Sequence, residues 1–144
     1  MGIVDVWGQI PTERMIEQPW LDSLKRWTAQ TSGDMLHSTK DTLDRMDQAG
    51  IETMLLSAWY GPDGVLVSNE DVARRIDEAP DRFRGLAGAP LSTPMEAIRE
   101  IRHWVDGERF VGVRVVPWLW NLPPDHRQYY PVYTTCCELD VPVC

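Results

Sequence analysis

The sequence has no long apolar segment and no excess of basic residues, and both absences argue against whole classes of partner. No apolar run approaches the roughly 20 residues of a membrane-spanning helix, so no membrane is expected as a partner. Lysine and arginine total 14 against 22 aspartates and glutamates, which gives a net charge of -8. A surface of that charge repels polyanions, so nucleic acid is not expected as a partner either.

Cysteine is also scarce. Cys136 and Cys137 are adjacent, and the third cysteine is Cys144. An odd number at this irregular spacing matches neither a disulfide framework nor a zinc-binding motif. The sequence therefore predicts a protein of the reducing cytoplasm, with no metal site built from cysteines.

The most informative stretch that is present is 110–118, with the sequence FVGVRVVPW. An almost unbroken apolar, β-branched run predicts a strand buried on both faces, as in a parallel sheet covered by helices. Pro117 cannot donate to a β-ladder, so the strand is predicted to end there and to be followed by an aromatic loop. Ligands bind at the carboxyl ends of parallel strands. The search for a site therefore begins at Arg114 and Trp118.

Around this strand, predicted strands and helices alternate. Further strands are predicted at 3–7, 51–59 and 84–91, and 141–144 has the composition of the first residues of a fifth strand. Helices are predicted to begin after Ser38, after Ser68 and at a capping box formed by Thr93 and Glu96, and another spans 130–139. The stretch 30–34 is polar and predicts a loop.

This βα repeat predicts an α/β protein with a parallel sheet, for which two architectures remain. One is a five-stranded, flavodoxin-like open sheet. The other is the N-terminal half of a (β/α)8 TIM-like barrel, which needs about 250 residues in all. A finished five-stranded domain normally covers its last strand with a helix, and none follows 141–144. We therefore predict that residues 1–144 form a single βα-barrel domain truncated at the start of strand five.

Five motifs along the chain form a recognisable set. In chain order they are VDVWGQ at 4–9, DRFRGLA at 81–87, FVGVRVVP at 110–117, YPVY at 130–133 and ELDVPV at 138–143. Taken together, they resemble the amidohydrolase-related family, in the branch of the aminocarboxymuconate-semialdehyde and hydroxybenzoate decarboxylases and related lactonases. The resemblance implies a βα barrel that hydrolyses or nonoxidatively decarboxylates a small carboxylated compound, aromatic or unsaturated. It also implies that the chain ends before the family's histidine motif after strand five, so the 144-residue chain alone is expected to be inactive.

The first strand departs from the family pattern. Many members carry Asp-x-His-x-His there and bind zinc through the two imidazoles. Asp5 matches the leading aspartate, but Trp7 and Gln9 occupy the positions of the histidines. An indole cannot ligate zinc, and an amide oxygen is a poor zinc ligand. No metal ligand or cofactor is therefore assigned to this chain, although zinc remains possible in the parent family.

Six residues are predicted to contact a small-molecule carboxylate substrate: Asp5, Trp7, Gln9, Trp59, Arg114 and Trp118. Arg114 can bind a carboxylate with two parallel hydrogen bonds, or it can form a structural ion pair with an acid such as Asp5. The tryptophans can line an aromatic pocket, or they can cover the barrel or a subunit contact. Ser57 has no histidine partner in sequence context, and no catalytic residue is assigned.

A second class of function stays open. The missing histidines and strands also fit a noncatalytic, degenerate half barrel or an interaction module. In either case a half barrel leaves strand edges without partners, which predicts a homo-oligomer or self-association through those edges.

Overall fold

The computed structural model describes residues 2–144, which form a curved parallel sheet with helices packed against it. Its strands are β1 Ile3–Gly8, β2 Ile51–Ser57, β3 Trp59–Gly61, β4 Gly64–Val67, β5 Phe83–Ala87 and β6 Phe110–Val113. Its α-helices are α1 Glu13–Ile16, α2 Asp22–Thr28, α3 Ser32–Met35, α4 Thr39–Ala49, α5 Asn69–Glu78, α6 Pro94–Trp104, α7 Pro117–Trp120 and α8 Tyr130–Leu139. Short 3-10 helices cover Pro19–Leu21 and Arg127–Tyr129. Among residues 2–144, no helix is both long and apolar enough to cross a lipid bilayer.

The order of the main sheet decides between the two predicted architectures. The strands lie in the order β1-β2-β5-β6, and every neighbouring pair is parallel. Val143 continues this order by forming a parallel bridge to Val113. A flavodoxin-like sheet would place its first strand between the second and third. The sequential order is that of a barrel wall, so the half-barrel prediction is confirmed and the open-sheet alternative is wrong.

Local capping signals correctly predict where two helices begin. The side chains of Ser38 and Ser68 each accept a hydrogen bond from the third helical residue, whose aspartate carboxylate accepts one in return. Thr93 does not cap α6 in this way, because its hydroxyl donates to the Glu96 carboxylate at 2.7 Å instead of accepting from the backbone. Pro94, at the first helical position, begins that helix without a side-chain cap.

The structure also corrects several predicted boundaries. The strand predicted at 51–59 ends at Ser57, because Trp59–Gly61 pairs in an antiparallel hairpin with Gly64–Val67. The turn of this hairpin uses Gly64 at a φ of 131°, a conformation that only glycine adopts without strain. The predicted loop at 30–34 contains most of α3, and the loop after Pro117 starts with α7, because proline suits the first position of a helix.

The core lies between the sheet and its helices. It combines residues from α4, α5, α6 and α8 with residues from the strands, and its most deeply buried members include Met46, Ile76, Phe83, Ile101, Phe110 and Val132. The packed helices hold the strands in place, so the strand ends are positioned by a rigid layer.

Asn69 ties a helix to one of these strand ends. Its side chain is fully buried; Nδ2 donates to the Gly88 carbonyl at 3.0 Å, and Oδ1 accepts from the Gly88 amide at 2.8 Å. In Asn69→Ala both groups of Gly88 lose their partner, so we expect the free energy of unfolding to fall by about 2–4 kcal/mol. Urea denaturation followed by circular dichroism measures this.

The matched control is Glu70→Ala, because Glu70 is the exposed neighbour of Asn69 in the same helical turn. Only a helix-dipole interaction is lost there, so the expected change stays below about 1 kcal/mol. Equal effects of the two substitutions would contradict a specific role for Asn69.

Candidate functional site

The register of the parallel strands brings the residues at their carboxyl ends to one level. Gly8 pairs with Leu56, Ser57 with Leu86, and Ala87 with Val113. The backbone amide of Arg114 continues the ladder by donating to the Ala87 carbonyl at 2.8 Å. Gln9, Ser57 and Arg114 therefore end three strands at the same edge of the sheet, where ligands bind in barrels.

Arg114 lies against Trp7 across the two intervening strands. The guanidinium carbon Cζ is 3.5 Å from the centroid of the Trp7 ring, a cation–π contact. Arg114 is only 5% exposed, whereas Trp7, which covers one face of the guanidinium, is 60% exposed. Burial lowers the pKa of the Arg114 guanidinium from its ordinary value, although arginine stays charged at neutral pH.

The structural ion pair considered for Arg114 does not form. Within residues 2–144 the guanidinium makes no salt bridge, and its Nε and Nη2 atoms are buried without a hydrogen-bond partner. Asp5 is engaged elsewhere, because its Oδ1 accepts from the Trp7 backbone amide at 2.9 Å. A buried charge without a partner is costly, which makes Arg114 a candidate for binding an anion.

Other buried polar groups at this edge also have no partner in the described part of the chain. We call the residues concerned the donor cluster: Gln9, Trp20, Ser57, Trp59 and Arg114. The unpartnered atoms are both amide atoms of Gln9, the indole nitrogens of Trp20 and Trp59, the hydroxyl of Ser57, and Nε and Nη2 of Arg114. Buried polar groups are normally hydrogen-bonded, so this concentration indicates a binding site.

Three tryptophans form an aromatic wall beside these groups. Trp20 stacks on Trp59 with ring centroids 6.3 Å apart, and Trp118 contacts both rings edge-on at 5.1 and 5.8 Å. Trp59 and Trp118 were predicted candidates, but Trp20 was not, because the three-residue 3-10 helix that holds it is too short to give a sequence signal. Trp120 has a structural role, since its indole donates to the Tyr60 carbonyl at 2.8 Å.

A cavity of about 650 Å³ reaches Ser57 from the side of α5 and of residues 36–38, which precede α4. Among its charged side chains, Arg14 and Arg74 both pair with Asp71, and Arg75 pairs with Glu78 at 3.6 Å, whereas Glu13 forms no salt bridge within residues 2–144. Ser57 is the one member of the donor cluster that lines this cavity.

Comparison with known proteins agrees with the barrel fold. A family model described as amidohydrolase matches residues 12–144. The chain belongs to the amidohydrolase family. The resemblance predicted from its motifs is thereby confirmed.

Several relatives of this amidohydrolase chain are aromatic acid decarboxylases. The gamma-resorcylate decarboxylase of Polaromonas sp. strain JS666 is 33% identical to this chain over an alignment of 118 residues. The match covers 67% of this chain and 35% of that protein. The crystal structure of a dihydroxybenzoic acid decarboxylase from Polaromonas sp. JS666, with bound manganese and the inhibitor 2-nitroresorcinol, has a TM-score of 0.73 and 26% identity. That of a 2,6-dihydroxybenzoate decarboxylase from Rhizobium has a TM-score of 0.67 and 28% identity.

Both solved structures match 99% of this chain, and the chain covers 48% and 49% of theirs. The amidohydrolase chain thus spans about half the length of these solved relatives and about a third of the curated one. The metal bound in the Polaromonas structure is manganese, so a divalent metal occurs in the family, although this structure does not show the zinc that the resemblance left possible.

Trp7 and Gln9 of the amidohydrolase chain do not fit a divalent metal. No group of three or more histidine, cysteine, aspartate or glutamate side chains converges anywhere in residues 2–144. Trp7 offers only an indole, and its ring is occupied by the Arg114 guanidinium. A cation placed between Trp7 and Gln9 would meet this positive charge and, from Gln9, a single amide oxygen.

Proposed function

We propose that this chain is the half of an amidohydrolase-family decarboxylase that binds the carboxylate of a small aromatic acid. The observation that carries the proposal is the Arg114 guanidinium, buried and charged, with two N–H groups that have no partner within residues 2–144. Such a fork matches the two oxygens of a carboxylate. Binding an anion there would remove the unfavourable state of a buried, unpaired charge.

In this proposal the predicted substrate contacts have separate roles. Arg114 holds the carboxylate, and Trp7 fixes the guanidinium by stacking on it. Trp59 and Trp118, joined by Trp20, supply flat apolar surface for the aromatic ring. The Gln9 amide and the second carboxylate oxygen of Asp5 are assigned to bind ring hydroxyl groups.

The proposed reaction of the whole protein is nonoxidative decarboxylation. The bond between the ring carbon and the carboxylate breaks, carbon dioxide leaves, and the electron pair left on the ring carbon takes up a proton. Residues 1–144 are proposed to be one domain that supplies binding and orientation. The proton donor stays unassigned, so the chain by itself is expected to bind without turnover.

Titration with 2,6-dihydroxybenzoate tests the proposal, with tryptophan fluorescence reporting binding to the aromatic wall. Resorcinol is the matched ligand, because it has the same ring and hydroxyl groups but no carboxylate. We expect the acid to bind at least about tenfold more tightly than resorcinol, since a charge-assisted bidentate contact exists only for the acid. Equal affinities would contradict carboxylate recognition and favour a degenerate, noncatalytic half barrel.

A further inference from the structure

The unpartnered atoms of the donor cluster are almost all hydrogen-bond donors. The indole nitrogens of Trp20 and Trp59, the two nitrogens of Arg114 and the amide nitrogen of Gln9 can only donate. The Ser57 hydroxyl can donate or accept, and the Gln9 amide oxygen alone is restricted to accepting. Cations are bound by acceptors and anions by donors, so the chemistry of this set selects an anion.

The positive charge at the site is already part of the protein. Arg114 is 5% exposed, carries no salt bridge within residues 2–144, and is held 3.5 Å from the centroid of Trp7. Trp7 is the residue that stands in place of the first family histidine. The contact therefore puts a guanidinium beside the position where family members place a metal ligand.

We infer that the donor cluster is an oxyanion site in which the Arg114 guanidinium supplies the positive charge, and that Trp7 and Gln9 do not hold a divalent metal. The inference rests on the proposed function for the identity of the ligand, an aromatic carboxylate. The inferred site differs from the Polaromonas structure, which contains manganese, because this chain would bind its ligand without a metal.

The first arm of the test measures metal directly. Mn²⁺ is titrated into the chelator-treated chain, and free ion is followed by electron paramagnetic resonance. We expect no stoichiometric binding, because fewer than three suitable side chains converge within residues 2–144. One equivalent of Mn²⁺ bound at micromolar concentration, and lost in Trp7→Ala or Gln9→Ala, would overturn the inference.

The second arm measures the anion. 2,6-Dihydroxybenzoate is titrated once with EDTA present and once with excess MnCl₂, and the two affinities are expected to agree within about twofold. Binding that appears only with Mn²⁺ would overturn the inference. It would leave the proposed carboxylate recognition standing.

A third arm separates the oxyanion site from the proposed recognition of an aromatic carboxylate. Inorganic phosphate is titrated in competition with a fluorescent anion that is already bound to the chain. Phosphate binding that is lost in Arg114→Gln but kept in the exposed control Arg102→Gln, without binding of 2,6-dihydroxybenzoate, supports the oxyanion site and contradicts the proposed function. Absence of Arg114-dependent binding for both anions contradicts both.

Discussion

Replacing Arg114 with methionine is expected to weaken binding of 2,6-dihydroxybenzoate and, at the same time, to stabilise the fold. The affinity should fall by roughly 10–100-fold, because hydrogen bonds to a charged group contribute about 1.5–3 kcal/mol. Stability should rise because the guanidinium is buried without a partner within residues 2–144. Methionine fills similar space and packs well on an aromatic ring such as Trp7.

The gain in the free energy of unfolding is expected to be about 1–3 kcal/mol, in the range found when buried charges give way to apolar side chains. Urea denaturation without ligand measures it. Arg102→Met is the matched control: Arg102 pairs with Glu138 at 2.6 Å, and its side chain is 56% exposed, so its loss should change stability by less than about 1 kcal/mol and leave binding intact. If Arg114 had only a structural role, the free energy of unfolding would fall on substitution instead of rising.

The second large effect concerns association of the chain through β1. This strand pairs with β2 on one side only, and its apolar side chains are unusually exposed: Ile3 58%, Val4 53%, Val6 58% and Trp7 60%. An exposed, apolar strand with a free edge pairs readily with another chain. We expect the isolated chain to sediment as oligomers at micromolar concentration.

The double substitution Val4→Lys and Val6→Lys tests this, because edge lysines oppose strand pairing. The dissociation constant of the oligomer should rise by at least about tenfold. Met95→Lys is the control, since Met95 is 62% exposed on α6, away from the edge. Association through β1 would be contradicted if the chain without substitutions were monomeric and melted cooperatively at the same concentration.

Signals that act within a few residues predicted the helices well. Ser38 and Ser68 each lie three residues before an aspartate, and such caps depend on backbone and side chains of one turn. The hairpin at Trp59–Val67 was missed because its strands have three and four residues, too few for an alternating pattern to show. At Thr93 the same pattern predicted a capping box that does not form, because the Thr93 hydroxyl donates to the Glu96 side chain and does not accept from a backbone amide.

The candidate site was predictable only in part. Arg114 stands out in sequence as a charge inside an apolar strand, and the parallel repeat places it at a carboxyl end. Its position near Trp7 also follows from the barrel prediction, in which both residues lie at the same edge of the sheet. The stacking of the guanidinium on the Trp7 ring was not predictable, because the two residues are more than one hundred positions apart. Trp20 lies in a 3-10 helix of three residues, which is too short for a periodic pattern to predict.

The sequential order of the main sheet also has a consequence for synthesis on the ribosome. Each strand of β1-β2-β5-β6 pairs with the strand of this sheet that was made before it, so every new βα unit finds its docking surface already formed. The sheet can then assemble from the N-terminus towards the C-terminus, and each step has a small entropic cost of loop closure. The free edge of β1 is present from the first step onward, which makes this strand the segment on which we expect nascent-chain chaperones to act.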